Sequence, residues 1–388
     1  MIGVFKSSNL LVITAALSYI VQMIIVPKSV TTPVVVILGL ALLLYLYLNQ
    51  CQYSKIRIPP YLICYLPFVV WVALSSFWTI STNYSFALIR VFLVFEFGCI
   101  AGFLATSEEK MKKVLYGLVL GGLISSAVVL YNQYMFIGII RIGRYIYGSP
   151  MEFSGGLCAS AYCCVFLWKL EKRKIWLFLY LCFIFLCALS GSRSAILYPV
   201  IFFTLMEMLY LQRFSKIVGI ILVAGLLGGM IFFACMKSPA LYNVVGYRVE
   251  QLLVDKTDDG SYMERSEMKR YGYEFWTESP IIGLGVDGFA QKYGAINKRV
   301  FSHCDYWECL SCFGVIGALL LYCPYFLILR RRGLIRLAKG NLWRSFLLAI
   351  LVMNIIRLAN TIEFLNLKDG MMMAMICNVF LKRERIEC

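Results

Sequence analysis

A single histidine stands among the 388 residues of this chain. His303 lies in Phe301-Ser-His-Cys-Asp305-Tyr-Trp-Glu308, where a hydrophilic stretch gives way to an apolar run. An imidazole near its unperturbed pKa is largely neutral at physiological pH and can take a proton from a hydroxyl group. Asp305 and Glu308 follow closely enough to orient it or to hold ligand hydroxyls. Ser190-Gly-Ser192-Arg193-Ser194 sets an arginine among small hydroxyl residues at an expected helix start. A guanidinium that gives paired hydrogen bonds, with hydroxyls and helix N–H groups around it, suits a phosphate or pyrophosphate. Arg265 and Lys269 sit one turn apart on a helix that the capping box Ser261-x-x-Glu264 would start and Ser279-Pro280 would stop near Glu278. Arg90 and Arg357 fall inside apolar runs, where a charge marks either function or a paired partner. Glu363 and Asp369 are the candidate partners of Arg357. Plainer readings stand beside these: Arg193 as a cation reaching for headgroups, Arg265 and Lys269 as part of a solvated helix.

The elements that must carry these residues are membrane helices. A hydrophobic fraction of 61%, with only 15% charged residues and a mean hydropathy of +0.78, excludes an ordinary soluble domain. Apolar runs fall at 10–26, 33–48, 61–77, 85–105, 114–137, 153–168, 175–189, 194–211, 217–236, 309–329, 345–361 and 365–381. Their lengths suit a hydrocarbon core about 30 Å thick. Eleven or twelve spans are expected, because Lys368 and Asp369 interrupt the last. The first run has no small-residue cleavage site and reads as a retained anchor. The expected fold class is an all-α polytopic membrane protein, with residues 1–388 as one integral membrane domain. No repeat is strong enough to indicate an inverted-topology transporter.

The net charge of +16 could suggest nucleic acid, but its distribution argues for topology. On the N-terminal side the loops hold 21 Lys and Arg, against 6 in the short loops opposite. The positive-inside rule therefore puts the N-terminus in the cytoplasm and faces the basic excess toward anionic lipid. The stretch 237–308 becomes one large extracytoplasmic loop, with 9 basic and 11 acidic residues. Within it, Gly283-Leu-Gly285-Val-Asp-Gly288 matches G-x-G-x-x-G in letters only, since no strand–helix–strand unit surrounds it. A turn returning the chain to the bilayer is expected there. Fifteen cysteines, mostly in apolar runs, read as small hydrophobes. Cys309-x-x-Cys312 has no second pair, so no metal site is assigned.

Several stretches resemble the bacterial O-antigen ligase and O-antigen or capsule polymerase family. Trp71-Val-Ala-Leu-Ser75-Ser-Phe-Trp78 is similar to the family's L-S-x-x-W segment, and Ser190-Gly-Ser-Arg193-Ser to its S-x-S-R signature. Arg265 followed by Pro280-Ile-Ile-Gly283-Leu-Gly285-Val-Asp-Gly-Phe289 resembles its arginine and P-x-x-G-x-G-x-x-x-F element. His303-x-x-Tyr306-x-Glu308-x-Leu310-x-x-x-Gly314-x-x-Gly317 resembles its closing H-N-x-Y-L-x-x-L-x-x-x-G-x-x-G, with Cys304 where the family usually has asparagine. The resemblance implies a GT-C-type glycosyltransferase architecture and an undecaprenyl-pyrophosphate-linked oligosaccharide donor. It also implies inverting, metal-independent transfer. By position, Arg193 and Arg265 would hold the pyrophosphate and His303 would activate the acceptor hydroxyl. Arg90, Ser192, Ser194, Lys269, Asp305, Glu308 and Arg357 would line the substrate site.

Two observations fit that implication. Nucleotide sugars are cytosolic, so an outward site in the cytoplasmic membrane needs a lipid-linked donor. The loop also lacks a D-x-D motif, and arginines can take over a metal's charge-stabilising role. A polymerase of lipid-linked repeat units is the expected activity. A ligase of finished glycan and a transporter or flippase are the alternatives, the last supported by Glu96 and Glu207 inside spans. No cofactor and no nucleic acid are expected. The partners are membrane lipids, the lipid-linked substrate, and flippase and chain-length regulator proteins as candidates. Added EDTA should leave transfer from a lipid-linked donor unchanged, and clear loss of product would contradict metal-free chemistry.

Overall fold

The computed structural model describes residues 7–25, 58–136, 142–143, 150–211 and 260–381, together with the single positions 39, 219, 233 and 237. Among the described residues there are thirteen α-helices. They are α1 Ser7–Ile25, α2 Pro60–Leu74, α3 Ser85–Leu104, α4 Glu108–Phe136, α5 Pro150–Glu171, α6 Lys174–Leu189 and α7 Arg193–Leu211. Then follow α8 Gly260–Glu278, α9 Gly288–Ile296, α10 Asp305–Leu329, α11 Leu334–Ala338, α12 Leu342–Arg357 and α13 Leu367–Phe380. Short 3₁₀ turns occupy Ser75–Phe77 and Glu363–Leu365. Among the described residues there is no strand, and six helices are long and apolar enough to cross a membrane. The protein is an all-α polytopic membrane protein. Ten of the expected spans coincide with described helices, while 33–48 and 217–236 lie outside the described residues but for single positions. Helix α4 begins at Glu108, before its apolar run, because glutamate and lysine are good helix formers beyond the hydrocarbon.

The chain divides into two compact units. The first comprises 1–26, 112–259 and 335–350. In it α5 packs on α6 and α7. Small residues bring α1 against α4: a Cβ on Gly117 would meet Val12 O at 2.4 Å, and one on Gly121 would meet Tyr19 at 2.6 Å. This small-xxx-small spacing lets backbones approach where apolar side chains gain nothing over lipid. Tyr19 Oη then donates to Gly156 O at 2.8 Å and Ser160 Oγ to Leu118 O at 2.9 Å. Lys169 pairs with Glu207 at 2.8 Å, so this intramembrane carboxylate has a cation partner.

The second unit comprises 27–111, 260–334 and 351–388. Helices α3 and α13 pack along their length, with Asn378 Nδ2 donating to Gly102 O at 2.9 Å and Ala105 O at 3.1 Å. Phe68, Phe313 and Phe364 form an edge-to-face trio with centroids 5.6–6.0 Å apart. A span was expected over 309–329, and α10 covers it. It breaks at Gly314, whose φ of 66° and ψ of −169° belong to glycine alone. The break is sharp. Tyr322 Oη donates to Asp305 Oδ2 at 2.7 Å, although 17 residues of straight helix would set them roughly 25 Å apart. The limbs 305–313 and 315–329 therefore form a V.

Breaking the helix strands the bonds from the N–H groups of 315 and 316 to the carbonyls of 311 and 312. The segment after Pro280 replaces all of them. Val315 N donates to Pro280 O (2.9 Å) and Ile316 N to Ile281 O (3.3 Å). In return Leu284 N donates to Ser311 O (2.9 Å) and Gly285 N to Cys312 O (2.8 Å). A Cβ on Gly314 would overlap Ile281 O at 2.2 Å. Gly314→Ala should thus destabilise by roughly 3 kcal/mol or more. Gly333→Ala, also at positive φ but in open space, should cost about 1 kcal/mol. The apparent Tm of the purified chain in detergent, at one scan rate, checks that ranking.

Candidate functional site

His303 is built into a turn whose neighbours are fixed and buried. Ser302 N donates to Glu308 Oε2 at 2.7 Å. Ser302 Oγ donates to Cys304 O at 2.9 Å and accepts from Cys304 N at 3.3 Å. Asp305 N donates to Leu358 O at 2.8 Å. Ser302 and Cys304 are both fully buried, so the chain is held on each side of the half-buried histidine. His303 itself adopts φ of 54°, a left-handed conformation that costs about 1–2 kcal/mol for a side-chain-bearing residue. Strain of this kind persists only where the surroundings over-determine it.

The expected cations of α8 share one face of that helix. Arg265, Lys269, Gly272 and Trp276 recur at the spacing of one helix face. A Cβ on Gly272 would meet Trp307 Cβ at 2.8 Å, and the Trp276 and Trp307 rings lie 6.2 Å apart. That face therefore rests on the first limb of α10. Lys269 lies farther along the same stripe. Arg265 lies one turn beyond, roughly 6 Å along the axis, and both cations are half-buried. Helix α8 runs Gly260–Glu278, as the boundary signals led one to expect.

Other expected site residues hold the segment that passes the turn. Arg90 Nε donates to Leu365 O at 2.8 Å, and Phe364 N donates to Asp305 Oδ1 at 3.4 Å. Arg357 Nη1 meets Asp369 Oδ1 at 3.4 Å with both side chains buried, the pairing anticipated from sequence. Glu308 is buried between Ser302 N and the Cys312 thiol. Arg90, Arg357, Asp305 and Glu308 thus position the backbone around His303. Among the described residues the two oxygens of Glu96 have no hydrogen-bond partner.

Arg193, Ser192 and Ser194 belong to the first unit. Gly191, at φ of 65°, makes a tight turn in which Ser192 N donates to Ser190 Oγ at 3.3 Å. Arg193 is the first residue of α7, and Ser192 is buried. Ala195 N donates to Ser192 O at 3.2 Å in the first turn of that helix.

Two supporting sets escaped the sequence reading. Trp71 Nε1 donates to Phe313 O (3.0 Å), just before the break. Val286 N donates to Ser75 Oγ (3.1 Å), and Thr79 Oγ1 donates to Val286 O (2.6 Å). Arg299 meanwhile pairs with Asp287 and donates to Ser81 Oγ at 3.0 Å. The motif segments themselves signalled the first set, since Trp71–Trp78, Pro280–Phe289 and His303–Gly317 interlock physically. Nothing in local spacing links Arg299 to Ser81.

Residues 177–322 match the family model described as O-antigen ligase, and this match supports the O-antigen ligase and polymerase family to which the motifs pointed. The matched segment includes Arg193, Arg265 and His303 and ends at Tyr322. Members of that family are glycosyltransferase-like enzymes. No curated protein matches the chain.

The turn is open to a direct check. Burial pushes the Cys304 thiol up from its ordinary range, which disfavours the reactive thiolate. Iodoacetamide at pH 7.5 should leave Cys304 unmodified in the folded protein by mass spectrometry. Ser302→Ala, which removes both bonds to Cys304, should make it at least several-fold more reactive; equal protection would show that the turn stands without Ser302.

Proposed function

We propose that the protein is a polymerase that joins undecaprenyl-pyrophosphate-linked oligosaccharide repeat units on the outer side of the cytoplasmic membrane. The observation that carries this reading is the strained His303 turn at the start of α10, against whose first limb packs the α8 face that also carries Arg265 and Lys269. His303 accepts the proton of an acceptor hydroxyl as its oxygen attacks the anomeric carbon of the donor sugar. The bond from that carbon to the pyrophosphate breaks, with inversion, and undecaprenyl pyrophosphate leaves. Arg265 stabilises the negative charge that grows on the leaving group, and Lys269 adds to the field; Arg193 is assigned to the pyrophosphate by the motif resemblance alone. Charge stabilisation of this kind needs no metal.

A second reading is a ligase that moves finished glycan to another acceptor, favoured by the description of the matched family model. Transport of the same glycan is less well supported, because Glu207 is paired with Lys169. Deleting the gene distinguishes the first two: single units on the surface indicate a polymerase, long unattached chains a ligase.

With purified protein and lipid-linked repeat units, His303→Ala should abolish chain growth and carrier release while the protein stays in the membrane. Full activity would remove the base assignment. Arg193→Lys should lower turnover by roughly 100-fold, since a point charge cannot replace a paired donor; near-normal turnover would exclude pyrophosphate holding by Arg193.

A further inference from the structure

By sequence the stretch 280–282 belongs to the large loop beyond the membrane, yet its bonds in the second unit set it deeper. Pro60–Phe77, which is α2 with the 3₁₀ turn after it, has 18 residues. At helical rise that is about 27 Å, close to the thickness of the hydrocarbon core. Phe77 thus marks one edge of the core, and Trp71 stands roughly 9 Å inside that edge. Trp71 Nε1 donates to Phe313 O at 3.0 Å, and a Cβ on Gly317 would stand 3.2 Å from Trp71 Cδ1. Helical side chains lean toward the N-terminus of their helix, so this part of α10 is no nearer the edge than Trp71 itself. At that level Val315 N and Ile316 N donate to Pro280 O and Ile281 O. Only at Val286 does the strap reach the end of α2, where Ser75 Oγ and Thr79 Oγ1 hold it.

The strap has the chemistry that such a depth demands. Residues 279–286 carry no charge. Irregular backbone survives in hydrocarbon only where the protein satisfies its polar groups. Pro280 O accepts from Trp276 Nε1 at 3.1 Å as well as from Val315 N. Ile281 O, Gly283 N, Leu284 N, Leu284 O and Gly285 N are hydrogen-bonded too. The side chains of Ile281 and Ile282 nevertheless point away from the unit, 63% and 40% exposed. Val315 and Leu319, 39% and 69% exposed, continue that apolar surface down the second limb of α10, a face that a span turns to lipid. At the other end stand Tyr273 and Trp276, with ring centroids 6.0 Å apart. Tyrosine and tryptophan collect at the headgroup level.

We infer that 280–282 dips into the bilayer and that lipid acyl chains cover Ile281 and Ile282. The strap is then a membrane wedge as well as a splint for the broken helix, and the aromatic end of α8 sits among the headgroups. This placement does not depend on the reaction the protein performs.

Hydroxyl-radical footprinting of the wild-type chain in lipid nanodiscs tests the depth without a variant. Ile281 and Ile282 should be oxidised at least several-fold less than Ile296, which is 52% exposed beside the polar run 297–299. Oxidation equal to that of Ile296 would put the strap in water and overturn the inference. A photo-crosslinker then separates lipid from a second copy of the chain as the cover. With p-benzoylphenylalanine in place of Ile281, irradiation in nanodiscs should add the mass of one phospholipid. The yield should match that of the same probe at Leu319 and exceed several-fold that of the probe at the exposed Lys298. A chain-to-chain cross-link instead, or a lipid yield no higher than at Lys298, would overturn acyl chains as the occupant.

Discussion

An exchange of backbone hydrogen bonds at Gly314 is the constraint on which the second unit depends. A broken helix inside a membrane protein exposes peptide groups that have no water to turn to. Here the chain from Pro280 to Gly285 takes up both orphaned amides and both orphaned carbonyls. Gly283 and Gly285, at φ of 73° and 86°, allow that chain to run close enough: a Cβ on Gly283 would stand 2.4 Å from the Cys312 backbone. The letters G-x-G-x-x-G therefore mark a docking strap, and its chemistry is main-chain pairing. The V that results brings Asp305 beside Tyr322, and with it the histidine turn beside the second limb of α10.

Around that V, buried charges do structural work. Arg90, Asp305, Arg357 and Asp369 all fasten the stretch between α12 and α13, where the chain leaves helical geometry at 358–366. Buried pairs of this sort add little net stability over apolar contacts, but removing one partner is severe. They define where the irregular segment lies. Arg265 and Lys269 lie on the face of α8 that packs on the first limb of α10.

Much of this was legible in the sequence. The helical membrane architecture follows from apolar run length, α8 from its start and stop signals, and the Arg357–Asp369 pair from the cost of an isolated intramembrane charge. His303 stood out by being alone. The bend in α10 did not show, because an apolar run reads the same whether straight or folded, and a glycine near a run's middle is common in membrane helices. Asp305 and Glu308 read as free carboxylates because the partners that bury them, Tyr322 and the Ser302 amide, are brought close only by that bend and by the turn. Arg193 belongs to a unit of its own, and its turn was readable from Gly191 and the flanking serines.

The interlock also bears on biogenesis. Trp71 finds its acceptor 242 residues downstream, and Ser75 its donor 211 residues downstream, after the whole of 112–259 has been synthesised. The early helices α2 and α3 must therefore wait in the bilayer as an unfinished half. The translocon hands over their counterpart only when the chain has passed Ile316. Until then the Trp71 indole lacks its acceptor, while the Ser75 hydroxyl is held by Val72 O at 2.7 Å on its own helix.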